Sequence, residues 1–109
     1  MATIEYYEFT PPKREVNKIF LHCSASDNPE HDNIKVIQKW HLLRGFVGIG
    51  YHFYINKQGE IHIGRSLERT PAAQEGYNKG SIAICLGGLK DFTIPQLVVL
   101  KKFCFDINK

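Results

Sequence analysis

The sequence predicts an α/β domain: a single mixed β-sheet flanked by helices. Short apolar runs of strand length recur at KIFLHC (18–23), YHFYIN (51–56), EIHIG (60–64) and SIAICL (81–86). Two longer stretches carry helix caps and helically spaced apolar residues. The order strand, helix, hairpin, strand, helix belongs to sheets covered by helices.

Residues 1–15 read as an extended lead-in, because the Pro11-Pro12 pair continues neither a helix nor a central strand. The domain proper is expected over 16–109. KIFLHC is bounded by polar segments and is expected as a strand in the middle of the sheet, with its polar end, His22-Cys23-Ser24, as a place for chemistry. Asp32 or Asn33 can cap a helix starting at Ile34; its stripe of Val36, Ile37, Trp40 and Leu43 stops at Gly45, which suits a left-handed end. YHFYIN and EIHIG, joined through Lys57-Gln58-Gly59, predict a hairpin. From Arg65 to Gly80 there is no periodicity, and Pro71, Gly76, Asn78 and Gly80 mark a surface loop. SIAICL follows as another buried strand. Thr93 and Gln96 fit a capping box, with Phe92 and Leu97 as its hydrophobic staple, so a helix is predicted from Ile94 nearly to the end. Its Leu97, Leu100, Cys104 and Ile107 need a surface to cover.

The chain has 109 residues, 43% hydrophobic and 23% charged, which places it with ordinary one-domain globular proteins. Its net charge of +3 comes from scattered Lys and Arg rather than a basic stripe, which argues against nucleic acid as a partner. No stretch is long and apolar enough to span a membrane, and MATIEYYEFT lacks a signal-peptide pattern, so the protein is expected in the cytoplasm as made. Cys23, Cys85 and Cys104 are odd in number and lack scaffold spacing; they read as thiols, mostly buried, with Cys23 in the core.

On position alone, His22 suits either a metal-binding or acid–base role or a core histidine satisfied by hydrogen bonds. No HxxxH or CxxC pair decides between them. His52 follows Tyr51 directly, and strand alternation sends the two side chains to opposite faces, so His52 reads as structural support. His31, His41 and His62 read the same way. Asn78 lies in Gly-Tyr-Asn-Lys-Gly, which turn chemistry alone would select.

The motifs taken in order carry more than any one of them. HCSAS (22–26), KWH (39–41), GYHF (50–53), a Gly-Glu hairpin turn followed by Gly64-Arg65, and GYNKGSIAICLGG (76–88) together resemble the type-2 N-acetylmuramoyl-L-alanine amidases. That group includes amidase-type phage lysozymes and is related to the peptidoglycan recognition proteins. The resemblance runs from about Lys18 to the final helix. It implies a zinc-dependent hydrolase that cleaves the amide between N-acetylmuramic acid and L-alanine, with peptidoglycan as partner. Under it, His22 corresponds to the first zinc ligand, Tyr51 to the catalytic tyrosine, and Asn78 with the 76–81 turn to the wall of the substrate groove. On pattern alone Tyr51 also suits a packing position on a half-buried strand.

The sequence departs from that family in two places. Ala73, in PAAQEGYN, stands where the family usually has a histidine. The family's further zinc ligands and its catalytic lysine have no counterpart in residues 1–109, so the resemblance implies a domain missing its last strand and loop and an impaired activity. One imidazole does not hold zinc tightly. The alternatives are a peptidoglycan-binding module without catalysis, or a regulatory partner, since some phage lysozymes of this group bind RNA polymerase; no residue argues for the latter. A phage-type enzyme would act on the cell wall after release.

Overall fold

Six consecutive residues without a charge, SIAICL, need cover on both faces, and they receive it. In the computed structural model, which describes residues 3–4 (backbone), 9–46, 48–73 and 76–108, this segment is a central strand with all six residues buried. The start of the lead-in, Val47, Gln74–Glu75 and Lys109 lie outside the described residues.

The elements are β1 (Thr3–Ile4), β2 (Lys18–Cys23), α1 (Ile34–Leu43), β3 (Phe53–Ile55), β4 (Ile61–Ile63), β5 (Ser81–Leu86) and α2 (Ile94–Ile107), with a single 3-10 turn at Pro29–His31. The sheet is mixed, in the order β1-β4-β3-β5-β2. β5 runs parallel to both neighbours, whereas β3–β4 and β4–β1 are antiparallel. The lead-in thus contributes to the sheet, Thr3 pairing with His62 and Ile4 with Ile61.

Strand alternation sorts the sheet's side chains between two helices. Ile82, Ile84 and Leu86 join Phe53, Ile55 and Ile61 under Phe103 of α2. Cys85 and Tyr54 face the other way, against Ile34 and Ile37 of α1 and Ile49. The product is three layers: helix, sheet, helix.

The caps form as the sequence predicts. Asn33, rather than Asp32, caps α1 by accepting the Lys35 N–H at 2.8 Å, and Gly45 beyond the helix end has φ +90°. Thr93 and Gln96 form the reciprocal capping box of α2. Buried Gln96 does more than cap: its Nε2 donates to the Ile55 carbonyl at 3.1 Å and the Gly87 carbonyl at 2.7 Å, tying α2 to the ends of two strands.

Three expectations fail. KIFLHC is an edge strand, not a central one: β2 pairs with β5 alone, and Leu21 is 54% exposed. A short apolar run does not reveal its rank in a sheet, because that depends on chain crossovers. Cys23, expected in the core, is exposed on this edge, while Cys85 is buried and Cys104 half-buried. Leu97 is exposed, since the face of α2 that meets the sheet is set by Gln96, Leu100 and Phe103, and one residue's step around the helix turns Leu97 away. No helix of the described residues is long and apolar enough to cross a membrane.

Candidate active site

His22 lies near the C-terminal end of β2, in register with Cys85 of β5 and therefore on the α1 side of the sheet. Tyr51 precedes β3 and packs against that same cluster. The two rings meet with centroids 5.3 Å apart, tilted by 42°. Two residues that the sequence separates by a helix and a glycine-rich link are thus neighbours.

The surroundings hold Tyr51 in place. Its carbonyl accepts the Arg65 N–H at 2.8 Å, and the preceding Gly50 carbonyl accepts the Ala72 N–H at 3.1 Å. Gly50 has to be glycine, because a Cβ there would run into the Ala72 carbonyl. His41, from the last turn of α1, stacks obliquely 5.1 Å from the Tyr51 ring and accepts the Gly50 N–H on Nδ1 at 2.7 Å. Burial, helped by Arg44 and Arg65, lowers the pKa of His41 and favours its neutral form. Burial likewise pushes the Tyr51 phenol up to about 12, with the neighbouring Cys85 thiol acting in the same direction. Near neutral pH Tyr51 is therefore a phenol that can donate a hydrogen bond.

Beside His22 the chain turns sharply. Ala25 adopts φ +61°, rare for a residue with a Cβ, and is held there as its N–H donates to the Gly88 carbonyl at 3.0 Å. Ser24 Oγ accepts the Gly88 N–H at 2.9 Å. Ser26 Oγ and His31 Nδ1 share a hydrogen bond at 2.8 Å, and His31 meets Trp40 edge-on. These residues with Leu43 and Arg44 line an open groove of about 600 Å³ along α1.

Asn78 is committed to its loop: Oδ1 accepts the Ala73 N–H at 3.0 Å, and its carbonyl accepts from the Ser81 hydroxyl at 2.8 Å and the Ser81 N–H at 3.3 Å. Those contacts brace the loop that packs on Gly50. His52, as expected, is structural, fully buried, with Nδ1 accepting the Ala83 N–H at 3.1 Å and Nε2 donating to the Arg69 carbonyl at 2.7 Å.

Sequence reasoning missed Asp32. Its carboxylate accepts the Tyr54 hydroxyl at 2.6 Å and the Lys57 N–H at 2.8 Å, joining the α1 entry to β3 beneath the site. The signal was present, since an acidic residue next to an Asn that already caps the helix is free for another task.

For zinc the donors fall short. Among the described residues no three His, Cys, Asp or Glu come together as a metal-holding group. A tetrahedral catalytic centre takes three protein donors, and at this site His22 supplies one. The residues present do not by themselves fit the metal.

A family profile described as N-acetylmuramoyl-L-alanine amidase matches residues 12–109. The chain is 30% identical to an endolysin of Klebsiella phage KP32 over 116 aligned residues, covering 99% of this chain and 74% of that one. It is 36% identical to the endolysin of Enterobacteria phage T3 over 92 residues, covering 84% of this chain and 58% of the relative. It thus spans just over half the length of some of these relatives. Among solved structures, the N-acetylmuramoyl-L-alanine amidase LysC from Clostridium intestinale superposes with a TM-score of 0.72 at 28% identity, over 95% of this chain and 73% of that one. PGRP-LB of Drosophila shares the fold, with a TM-score of 0.74 at 24% identity over 91% of this chain and 67% of that one. With the profile matched from the lead-in to the last helix, and the fold shared with a bacterial amidase, the chain belongs to the N-acetylmuramoyl-L-alanine amidase family.

Proposed function

We propose that this chain is the part of a peptidoglycan amidase, of the endolysin kind, that carries the His22–Tyr51 half of the active site and acts on the amide between N-acetylmuramic acid and L-alanine. The observation behind this is the 5.3 Å approach of His22 and Tyr51 in a chain of this family. Hydrolysis of an amide builds negative charge on the carbonyl oxygen in the transition state. A phenol kept protonated by burial is suited to donate to that oxygen or to orient the attacking water. Asn78 contributes by bracing the loop that bonds to Gly50, the residue before Tyr51.

Zinc would supply Lewis acidity and an activated water, with His22 as one ligand. The described residues offer too few donors for it, so the others would come from outside the described residues. A second reading, a peptidoglycan-binding module without turnover, is favoured by that same shortage.

Both readings are tested by incubating the 109-residue chain with purified peptidoglycan. Saturable binding to the sacculus is expected under both readings, and release of L-alanine amino termini shows the enzyme. A folded chain that neither binds nor hydrolyses peptidoglycan would sink both.

A further inference from the structure

Arg14, at the end of the lead-in, is held in the fold by hydrogen bonds to backbone carbonyls, with the charge of Glu68 acting on it at longer range. Its Nε donates to Leu67 O at 2.6 Å and its Nη2 to Ser81 O at 2.7 Å, with His52 Nε2 a further 3.4 Å contact. Its Nη1 is buried and has no hydrogen-bond partner. A buried guanidinium N–H without an acceptor is costly, and it calls for one.

The same residue lines a cleft of roughly 450 Å³ together with Lys18, Lys79 and the left-handed turn glycines Gly76 and Gly80. Glu15 is the one carboxylate among the described lining residues. Arg14, Lys18 and Lys79 take no part in the Lys57–Asp27 ion pair; Glu68, outside the lining, acts on the Arg14 charge at longer range. Among the described lining residues, three cations against one carboxylate, beside a guanidinium N–H without an acceptor, make a place for an oxyanion. Lys18 opens β2 and His22 lies four residues on, about 13 Å along the strand at ~3.3 Å per residue, so the cleft is separate from the site at the other end.

We infer that this cleft is a second, anion-binding site, which takes a phosphate or carboxylate group through Arg14, Lys18 and Lys79. A guanidinium suits either group because its planar fork matches two oxygens at once. A wall-directed protein meets both chemistries, phosphate on envelope polymers and carboxylate on peptide stems. The site would add a contact remote from the scissile bond, without a part in the chemistry.

The test titrates inorganic phosphate, and separately acetate, into the isotope-labelled 109-residue chain and follows backbone amide shifts. Saturable shifts at Lys18 and Gly76–Ser81 are expected. Saturation by phosphate alone assigns a phosphate source, by acetate alone a carboxylate source, and by both, in competition, an unselective oxyanion site. Lys18→Ala combined with Lys79→Ala leaves the internal hydrogen bonds of Arg14 untouched, and is expected to weaken binding about tenfold. Arg14→Lys, which keeps the charge and loses the fork, should weaken it as well. Shifts that stay linear with both anions, or saturation unchanged in the double variant, would overturn the site. Neither result depends on hydrolysis, so failure here leaves the amidase reading standing.

Discussion

The ring of Tyr51 meets two imidazoles, 5.3 Å from that of His22 and 5.1 Å from that of His41, within the cluster that holds buried Cys85. His41 in turn is fixed by the Gly50 N–H, one residue before Tyr51. The arrangement positions one phenol by packing on two sides and by backbone on a third.

Removing that hydroxyl tests the role given to it. Tyr51→Phe is expected to fold as the parent does, by circular dichroism and thermal melting, because the ring packing survives. Where the amidase activity is measured, as L-alanine amino termini released from peptidoglycan, the variant should fall roughly 10²-fold, the usual cost of one oxyanion donor. Parent-like activity would leave Tyr51 a packing residue.

His52 makes stability depend on pH. Burial, aided by Arg14 and Arg65, depresses its folded pKa from 6.5 to about 4, against the opposing hydrogen bond to Arg69 O. Between those values the unfolded chain takes up a proton that the native state resists. The contribution is therefore fully present above pH 6.5, shrinks as pH falls toward 4, and levels off below; its span is on the order of 3 kcal/mol. Urea unfolding at pH 7 and pH 4.5 should show the loss, and His52→Gln should flatten it. An equal slope in the variant would contradict the assignment.

Gln96 anchors α2 by two buried hydrogen bonds, so Gln96→Leu should destabilise the domain by about 2–4 kcal/mol. It leaves the Gly87 carbonyl without its donor in the interior, takes from the Ile55 carbonyl one of two donors, the other being the Gly87 N–H, and removes the capping-box partner of Thr93. Denaturant midpoints of Gln96→Leu and Gln96→Glu measure this. A neutral effect of the leucine would mean those carbonyls find other donors.

Gly87 permits the Asp32–Tyr54 hydrogen bond, because a Cβ at this position would collide with both Asp32 Oδ1 and the Tyr54 hydroxyl. Gly87→Ala should cost roughly 3 kcal/mol or more, as overpacking and a broken buried hydrogen bond combine. Tyr54→Phe in the same chain, which removes one of the colliding atoms, should recover part of that loss. Full additivity of the two changes would refute the steric account.

Much of the architecture was legible because it rests on local physics. Asn33, Thr93 and Gln96 satisfy orphan helix N–H groups within a few residues of themselves, so the caps can be read from the order of residue types. The pairing of YHFYIN with EIHIG follows from a short turn. Motif order sufficed to nominate His22 and Tyr51. The rank of β2 in the sheet, by contrast, depends on which strand a crossover returns to, and an apolar hexamer reads alike at a centre or an edge. Cys23 and Leu97 were misplaced for the same reason: each has the composition of a core residue, and the face it shows was decided by its neighbours.

By itself the sequence determined the element types, the helix boundaries, the mixed sheet and the family likeness, all of which come from periodicity, caps and ordered motifs. Tertiary structure alone decided that Tyr51 comes to rest against His22 and His41, that Asp32 braces Tyr54 instead of capping a helix, and that Arg14 is left with an unpaired donor at a basic cleft. Those are contacts between residues far apart in the chain, and their geometry exists only once the sheet has chosen its order and the helices have closed on its two faces.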